Sequence, residues 1–181
     1  LSALTAESTR VVFVGENEKT YLVRYPAKRF GNNVVSEIDA ALPVVHGTNV
    51  EDGNLAGFLH SVNCPFVGCD VLSAALGMDK YAAKIVMKAA GIPVLDCVTV
   101  KRRDYLLNPE EFLDRAESAT RYPVIVKPVN LGSSVGIKKA KDRAALSEAL
   151  EYAFEFADRV LVENAVENLR EINCSVLGDK D

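Results

Sequence analysis

The stretch of this chain best suited to chemistry is Pro123-Val124-Ile125-Val126-Lys127-Pro128-Val129-Asn130-Leu131-Gly132-Ser133-Ser134-Val135-Gly136. Its apolar opening reads as a buried strand that delivers Lys127 at its end, and a turn of small residues then folds back into a second strand over 135–138. Such a turn suits a triphosphate. Gly132 lets the backbone approach closely, successive N–H groups and the Ser133 and Ser134 hydroxyls donate to oxygens, and Lys127 supplies a point charge. It is not a Walker A loop, because no Gly-Lys-Ser/Thr follows and a strand rather than a helix comes next. The same residues also fit a plain β-hairpin in which the glycine and serines only make the turn, and a short glycine-containing loop does not decide between the two.

Metal chemistry has less to build on. Cys64, Cys69, Cys97 and Cys174 are scattered without C-x-x-C spacing, and His46 and His60 are the two histidines. Reduced cysteines in or near the core therefore fit better than a zinc site. At 181 residues, 49% hydrophobic and 25% charged, the chain can bury a core as one large domain or two small ones. The net charge of -4, with no Lys/Arg cluster to offset it, argues against a nucleic-acid or anionic-membrane partner. No apolar run approaches the ~18–20 residues that cross a bilayer. Residues 1–5 lack the charged region, apolar core and cleavage site of a signal peptide. The expectation is small-molecule chemistry in the cytoplasm.

The elements that must position these residues follow from periodicity. Val11-Val12-Phe13-Val14 and Thr20-Tyr21-Leu22-Val23 read as strands joined by the polar turn 15–18. Leu42-Pro43-Val44-Val45 reads as a buried strand ending at His46-Gly47, and Leu55, Phe58, Leu59 and Val62 fall at helical spacing behind an Asn54 N-cap, which together suggest a βα unit. Asp70 and Asp79 each precede a helix, the second closing on Gly91. A strand over 94–100 comes next, then a helix started by Asn108-Pro109-Glu110-Glu111 and running to about Ser118. Asp142 opens a helix with Ala145, Leu146, Ala149, Leu150 and Ala153 on one face, and further strands are expected at 160–162 and 172–177. Alternation of strand and helix points to α/β or α+β architecture in two lobes dividing near Gly77.

The order of these motifs resembles the D-alanine:D-alanine ligases of the ATP-grasp superfamily. It is carried by Val45-His46-Gly47 with Glu51-Asp52-Gly53, Pro65-Phe66-Val67-Gly68, the run 73–80, Gly91-Ile92-Pro93-Val94, Val126-Lys127-Pro128 with 132–136, Val160-Leu161-Val162-Glu163, and Arg170-Glu171-Ile172 with Val176-Leu177-Gly178. The resemblance implies an α/β fold of the α+β ATP-grasp type. Residues 1–77 would form an N-terminal substrate-side lobe, 78–165 the central nucleotide-binding lobe, and 166–181 the start of a truncated third. It also implies a reaction in which ATP phosphorylates the carboxylate of one D-alanine and the amine of a second attacks the acyl phosphate, making dipeptide for peptidoglycan.

By the same resemblance, Lys80 and Lys127 reach the ATP phosphates and Gly132, Ser133 and Ser134 cover them. Ser133 also helps orient the first D-alanine, as the catalytic candidate. Glu163 and the backbone from Asn164 to Val166 meet adenine, Glu171 accepts from the ribose, and His46 and Glu51 lie on the substrate side. Bland alternatives stand beside these: a solvated first-turn lysine for Lys80, edge-strand acids for Glu163 and Glu171, a loop histidine for His46. Two positions depart from the family pattern. Thr48-Asn49-Val50 replaces a glycine-containing loop beside Glu51, and Asn164 stands where lysine is common. The chain holds no metal ligands of the family, whose Mg2+ set is expected beyond residue 181, as is the acceptor-choosing loop. The expectation is an incomplete portion of a ligase, homodimeric in its parent. The alternatives are D-alanine:D-lactate or D-alanine:D-serine specificity, a nucleotide-binding module without catalysis, or a structural fragment.

Overall fold

The computed structural model describes residues 8–176 and 178. The chain divides into two compact units: Leu1–Val94 with Val129–Val135, and Leu95–Pro128 with Gly136–Asp181. Among the described residues, no helix is long and apolar enough to cross a membrane.

The first unit opens with an antiparallel meander of β1 (Val11–Glu16), β2 (Lys19–Arg24) and β3 (Val34–Ile38). Asn17 and Glu18 sit at φ 51 and 63 between β1 and β2, the two-residue turn with positive φ at both positions whose twist matches a hairpin. Behind it come α1 (Asn54–Ser61), α2 (Val71–Met78) and α3 (Lys80–Ala89). Asp70 accepts from the Ser73 amide, and Asp79 accepts from the Tyr81 and Ala82 amides. Each cap satisfies N–H groups that a helix start leaves orphaned, worth ~1 kcal/mol. Gly91 follows α3 at φ 76.

The second unit is a two-layer α+β arrangement. Strands β4 (Cys97–Lys101), β5 (Val124–Pro128), β6 (Lys138–Ala140) and β7 (Arg159–Asn164) form one sheet in the order β4-β7-β5-β6 with every pair antiparallel. Helices α4 (Arg102–Leu107), α5 (Pro109–Ala119) and α6 (Arg143–Phe154) supply the other layer. Asn108 caps α5 through the Glu111 amide, and Asp142 caps α6 through Ala145. Leu146, Ala149, Leu150 and Ala153 of α6 pack with Val124, Val126, Val160 and Val162 in one buried cluster. At ~1.5–3 kcal/mol per large buried side chain, this stripe is what holds the helix on the sheet.

Several expectations are corrected. Leu42, Val44 and Val45 do not form a buried strand: they are 69%, 79% and 50% exposed, and the region holds a single parallel bridge, Ala41 to Phe66. Pro43 offers no N–H to extend a ladder, so the βα unit is not formed. The N-cap of α1 is Gly53 at φ 90 rather than Asn54, which becomes the first helical residue. The return strand after the glycine-serine turn begins at Lys138, not 135, because Ser133, Ser134 and Gly136 hold positive φ and interrupt extended backbone. Residues 172–176 are not a strand: Ile172 and Val176 are 84% and 88% exposed and join no ladder, and Leu177 lies outside the described residues. Strand β4 starts at Cys97, later than position 94, and β3 and α4 lacked a periodic signal long enough to be anticipated. Of the four cysteines only Cys64 is buried; Cys97 is half-buried, and Cys69 and Cys174 are exposed.

Candidate functional site

Within the first unit a cleft of about 580 Å³ is lined by residues from four separate segments, among them His46, Glu51, Phe66, Ser73, Gly132 and Ser133. The loop read as phosphate-binding and the loop carrying His46 thus reach the same cavity.

The His46 loop is shaped by its own acids. The Glu51 carboxylate accepts the Gly47 N–H at 2.6 Å and lies 3.3 Å from His46 Nδ1. The Gly47 carbonyl in turn accepts the Val50 and Glu51 amides. Asp52 accepts from the Asn49 amide at 2.8 Å and the Asn54 amide at 3.2 Å. Asn49 stands at φ 70, a conformation asparagine tolerates better than most residues. Gly53 closes the loop at φ 90, with the Val71 carbonyl 2.8 Å from where a Cβ would stand.

The Gly47 N–H and, less strongly, His46 hold the Glu51 carboxyl below the usual carboxylate range, and the Asn49 N–H does the same for Asp52. A carboxyl lowered in the folded state stabilises the loop above its unfolded-state pKa, and that contribution disappears as pH falls through the lowered folded-state value. The Gly47 amide proton shift should therefore report a titration centred below that of a free glutamate. A midpoint at or above the free-peptide value would show that Glu51 does not hold this bond in solution.

The glycine-serine loop is tied down at its base. Lys80, the first residue of α3, donates from its backbone N–H to the Val129 carbonyl at 2.8 Å and from Nζ to the Leu131 carbonyl at 2.5 Å. Ser133 and Ser134 occupy φ 52 and 58 in succession, which costs roughly 1–2 kcal/mol per residue. Strain of this kind occurs at ligand clamps, but the same pair of positive-φ residues at Asn17 and Glu18 makes a plain hairpin turn. A Cβ on Gly132 would meet nothing within 4 Å, so the space beside it is open to a ligand.

The remaining sequence candidates belong to the second unit. Lys127 on β5 and Glu163 on β7 form an ion pair between side chains that are 19% and 6% exposed. Ile125 is the cross-strand partner of Glu163, so Lys127, two residues on, shares its face of the sheet, opposite the Val124/Val126 core. Past β7, the Asn164 side chain accepts the Arg121 amide at 2.7 Å, and the Ala165 N–H donates to the Pro123 carbonyl at 2.9 Å. These two bonds fix the path of the segment expected to meet adenine, and the Asn164 side-chain oxygen is spent on the first of them. Val166 is half exposed, and Glu171 is exposed in irregular chain. The structure thus brings Lys80, Gly132, Ser133, His46 and Glu51 into one unit and Lys127, Glu163, Asn164, Val166 and Glu171 into the other. Sequence reasoning missed Asp52 and the Leu131 carbonyl, because hydrogen-bond partners of this kind leave no spacing signal.

The fold defines the class first: an α+β architecture of the ATP-grasp type. Two family models match, "D-ala D-ala ligase N-terminus" over residues 3–69 and "D-ala D-ala ligase C-terminus" over residues 86–181. The D-alanine–D-alanine ligase of Enterococcus faecalis is 43% identical over 158 residues, covering 87% of this chain and 45% of the relative. That of Acetivibrio thermocellus is 45% identical over 150 residues, covering 83% and 40%. Among solved structures, the D-alanine-D-alanine ligase of Helicobacter pylori superposes with TM-score 0.77 at 28% identity, covering 92% of this chain and 49% of the other. The VanG D-Ala:D-Ser ligase of Enterococcus faecalis gives 0.74 at 35%, covering 92% and 46%. The chain belongs to the D-alanine–D-alanine ligase family. It spans under half the length of the curated relatives it matches.

Proposed function

We propose that this chain is the substrate-side and nucleotide-binding portion of an ATP-dependent ligase that joins two D-alanines through an acyl phosphate for peptidoglycan synthesis. The observation that carries the reading is the convergence of the His46 loop and the Gly132-Ser133 turn on one cleft, in a chain of this family. The lobes at 1–77, 78–165 and 166–181 are part of the same proposal.

ATP supplies the phosphoryl group. Residues of this chain suit its phosphates by type: in the first unit a turn of left-handed residues at Ser133 and Ser134, open space at Gly132 and the cation Lys80, and in the second unit the cation Lys127. Positioning and charge compensation are what such a transfer requires of a protein. Glu163, the backbone of 164–166 and Glu171 are assigned to the nucleoside. Ser133 and His46 face the first D-alanine, with Glu51 beside His46. Among the described residues, no group of three or more His, Cys, Asp or Glu side chains could hold a metal ion. The described residues thus offer magnesium no clustered set of ligands.

Titrating the chain with Mg-ATP and with D-alanine while following backbone amides, and assaying phosphate release on the same sample, tests this reading. Shifts at 46–51 with D-alanine and at 132–134 with ATP are expected. Shifts without turnover would confine catalysis to a longer protein, and silence at both segments would sink the proposal. Gly132→Ala should leave stability within about 0.5 kcal/mol, as expected where the new methyl meets open space, yet weaken ATP binding at least tenfold. Unchanged ATP affinity would show that the phosphates do not approach here.

A second reading, D-serine in place of D-alanine as acceptor, is favoured by the likeness to the D-Ala:D-Ser ligase structure at 35% identity. Competition between the two acceptors in the same assay separates them.

A further inference from the structure

The groups that line the cleft on the His46 side do not hold themselves in place. Glu51 grips its own loop at Gly47 and stands beside His46, but both act from a segment of successive turns, 46–53, in which three residues have positive φ. Such a segment needs a fastening to a regular element. The Asp52 side chain supplies it with its two shorter bonds, beside a longer one of 3.5 Å from Asn54 Nδ2 to Asn49 Oδ1. Asp52 Oδ2 accepts the Asn49 N–H in the middle of the loop at 2.8 Å, and Oδ1 accepts the N–H of Asn54, the first residue of α1, at 3.2 Å. The second bond is an Asx-turn and the first reaches back over three residues, so one carboxylate spans the turn from both directions. Neither Asn49, Asp52 nor Asn54 lines the cleft.

We propose that Asp52 is a positioning residue of the cleft, fixing through the Asn49 and Asn54 amides the turn from which Glu51 and His46 address the substrate. The chemistry selects aspartate. Two amides need two acceptor oxygens, which asparagine lacks, and one more methylene in glutamate moves both oxygens out of register. The ionised carboxylate also makes these charge-assisted bonds, stronger than those of a neutral acceptor. Asn49 is the matching half of the device, since it holds φ 70 and so turns its N–H toward Asp52.

The consequence for D-alanine rests on the proposed function, whereas the positional claim does not, and the experiment separates them. In the 181-residue chain, the Gly47 amide contacts Glu51, not Asp52, so its shift and its pH titration read Glu51 placement independently of the bonds removed. Asp52→Asn is expected to move the Gly47 amide upfield, shrink its titration amplitude by half or more, and raise the midpoint. Asp52→Glu should show a partial effect of the same sign. The Ala41 amide bonded to the Pro65 carbonyl and the Thr20 side chain bonded to the Val62 carbonyl report that the unit stays folded. D-alanine affinity should fall at least tenfold in Asp52→Asn and less in Asp52→Glu. A Gly47 titration unchanged in both variants overturns the proposal. Loss of the Gly47 signature with no D-alanine response even in the parent chain upholds the positioning role and removes the D-alanine reading instead.

Discussion

Lys127→Met is expected to destabilise the second unit by about 1–3 kcal/mol, because it removes the cation that faces the Glu163 carboxylate in a site that hides all but 6% of its side chain. The pair itself need not stabilise the fold. Two charges taken out of water cost several kcal/mol each, and their attraction does little more than offset this. Removing one partner keeps the cost of burying the other and takes away this part of its compensation. The double variant Lys127→Met with Glu163→Leu should therefore recover most of the loss, although both also lose the groups proposed to meet ATP. Urea unfolding followed through the amides of Val160 and Val162 checks this in the sheet where the pair sits. A single-variant cost below about 1 kcal/mol would mean that the pair behaves like a solvated surface pair, and that Glu163 has another way to be satisfied.

Gly136→Ala should cost on the order of 3 kcal/mol, in contrast to the near-neutral Gly132→Ala four residues earlier. Gly136 sits at φ 73, and an added Cβ would stand 2.7 Å from Pro128 Cγ and 3.1 Å from Phe156 Cδ2. Left-handed strain and overpacking therefore act on the same atom. The loop returns to β6 through this residue, so its displacement should also loosen Ser133 and Ser134. Thermal unfolding of the two variants side by side gives the comparison. Equal losses would mean that neither the approach of Pro128 and Phe156 nor the left-handed backbone at Gly136 carries a cost.

The parts of the fold that were legible in the sequence are those whose information is local. Asp70, Asp79, Asn108 and Asp142 each cap the helix their spacing announces, since a cap bonds to amides two or three residues away. The apolar face of α6 was readable because a 3.6-residue period repeats over twelve residues. Leu42-Pro43-Val44-Val45 misled because an apolar run records only that burial would be favourable; a strand needs a partner ladder, and none of its residues reports whether one is there. The same holds at 172–176. The N-cap of α1 moved by one residue because Gly53 takes a left-handed conformation that no side chain signals.

For the candidate site, residue types and order were enough to single out Lys127, the Gly132-Ser133-Ser134 turn and, by family resemblance, Lys80, Glu163, Glu171, His46 and Glu51. The sequence by itself determined that this chain carries a phosphate-suited turn, the chain-local helix starts around it, and membership of a ligase family, because each of these is written in neighbouring residues or in their order. Only the tertiary structure decided that Glu51 spends its carboxylate on Gly47, that Asp52 braces the loop, that Lys80 fastens to Leu131 and that Lys127 faces Glu163 across a sheet. The physical reason is twofold: Lys80 and Leu131, like Lys127 and Glu163, lie far apart in the chain and meet only when strands register and helices pack, whereas the short-range bonds of Glu51 and Asp52 depend on the dihedral angles of successive turns, which residue types do not specify.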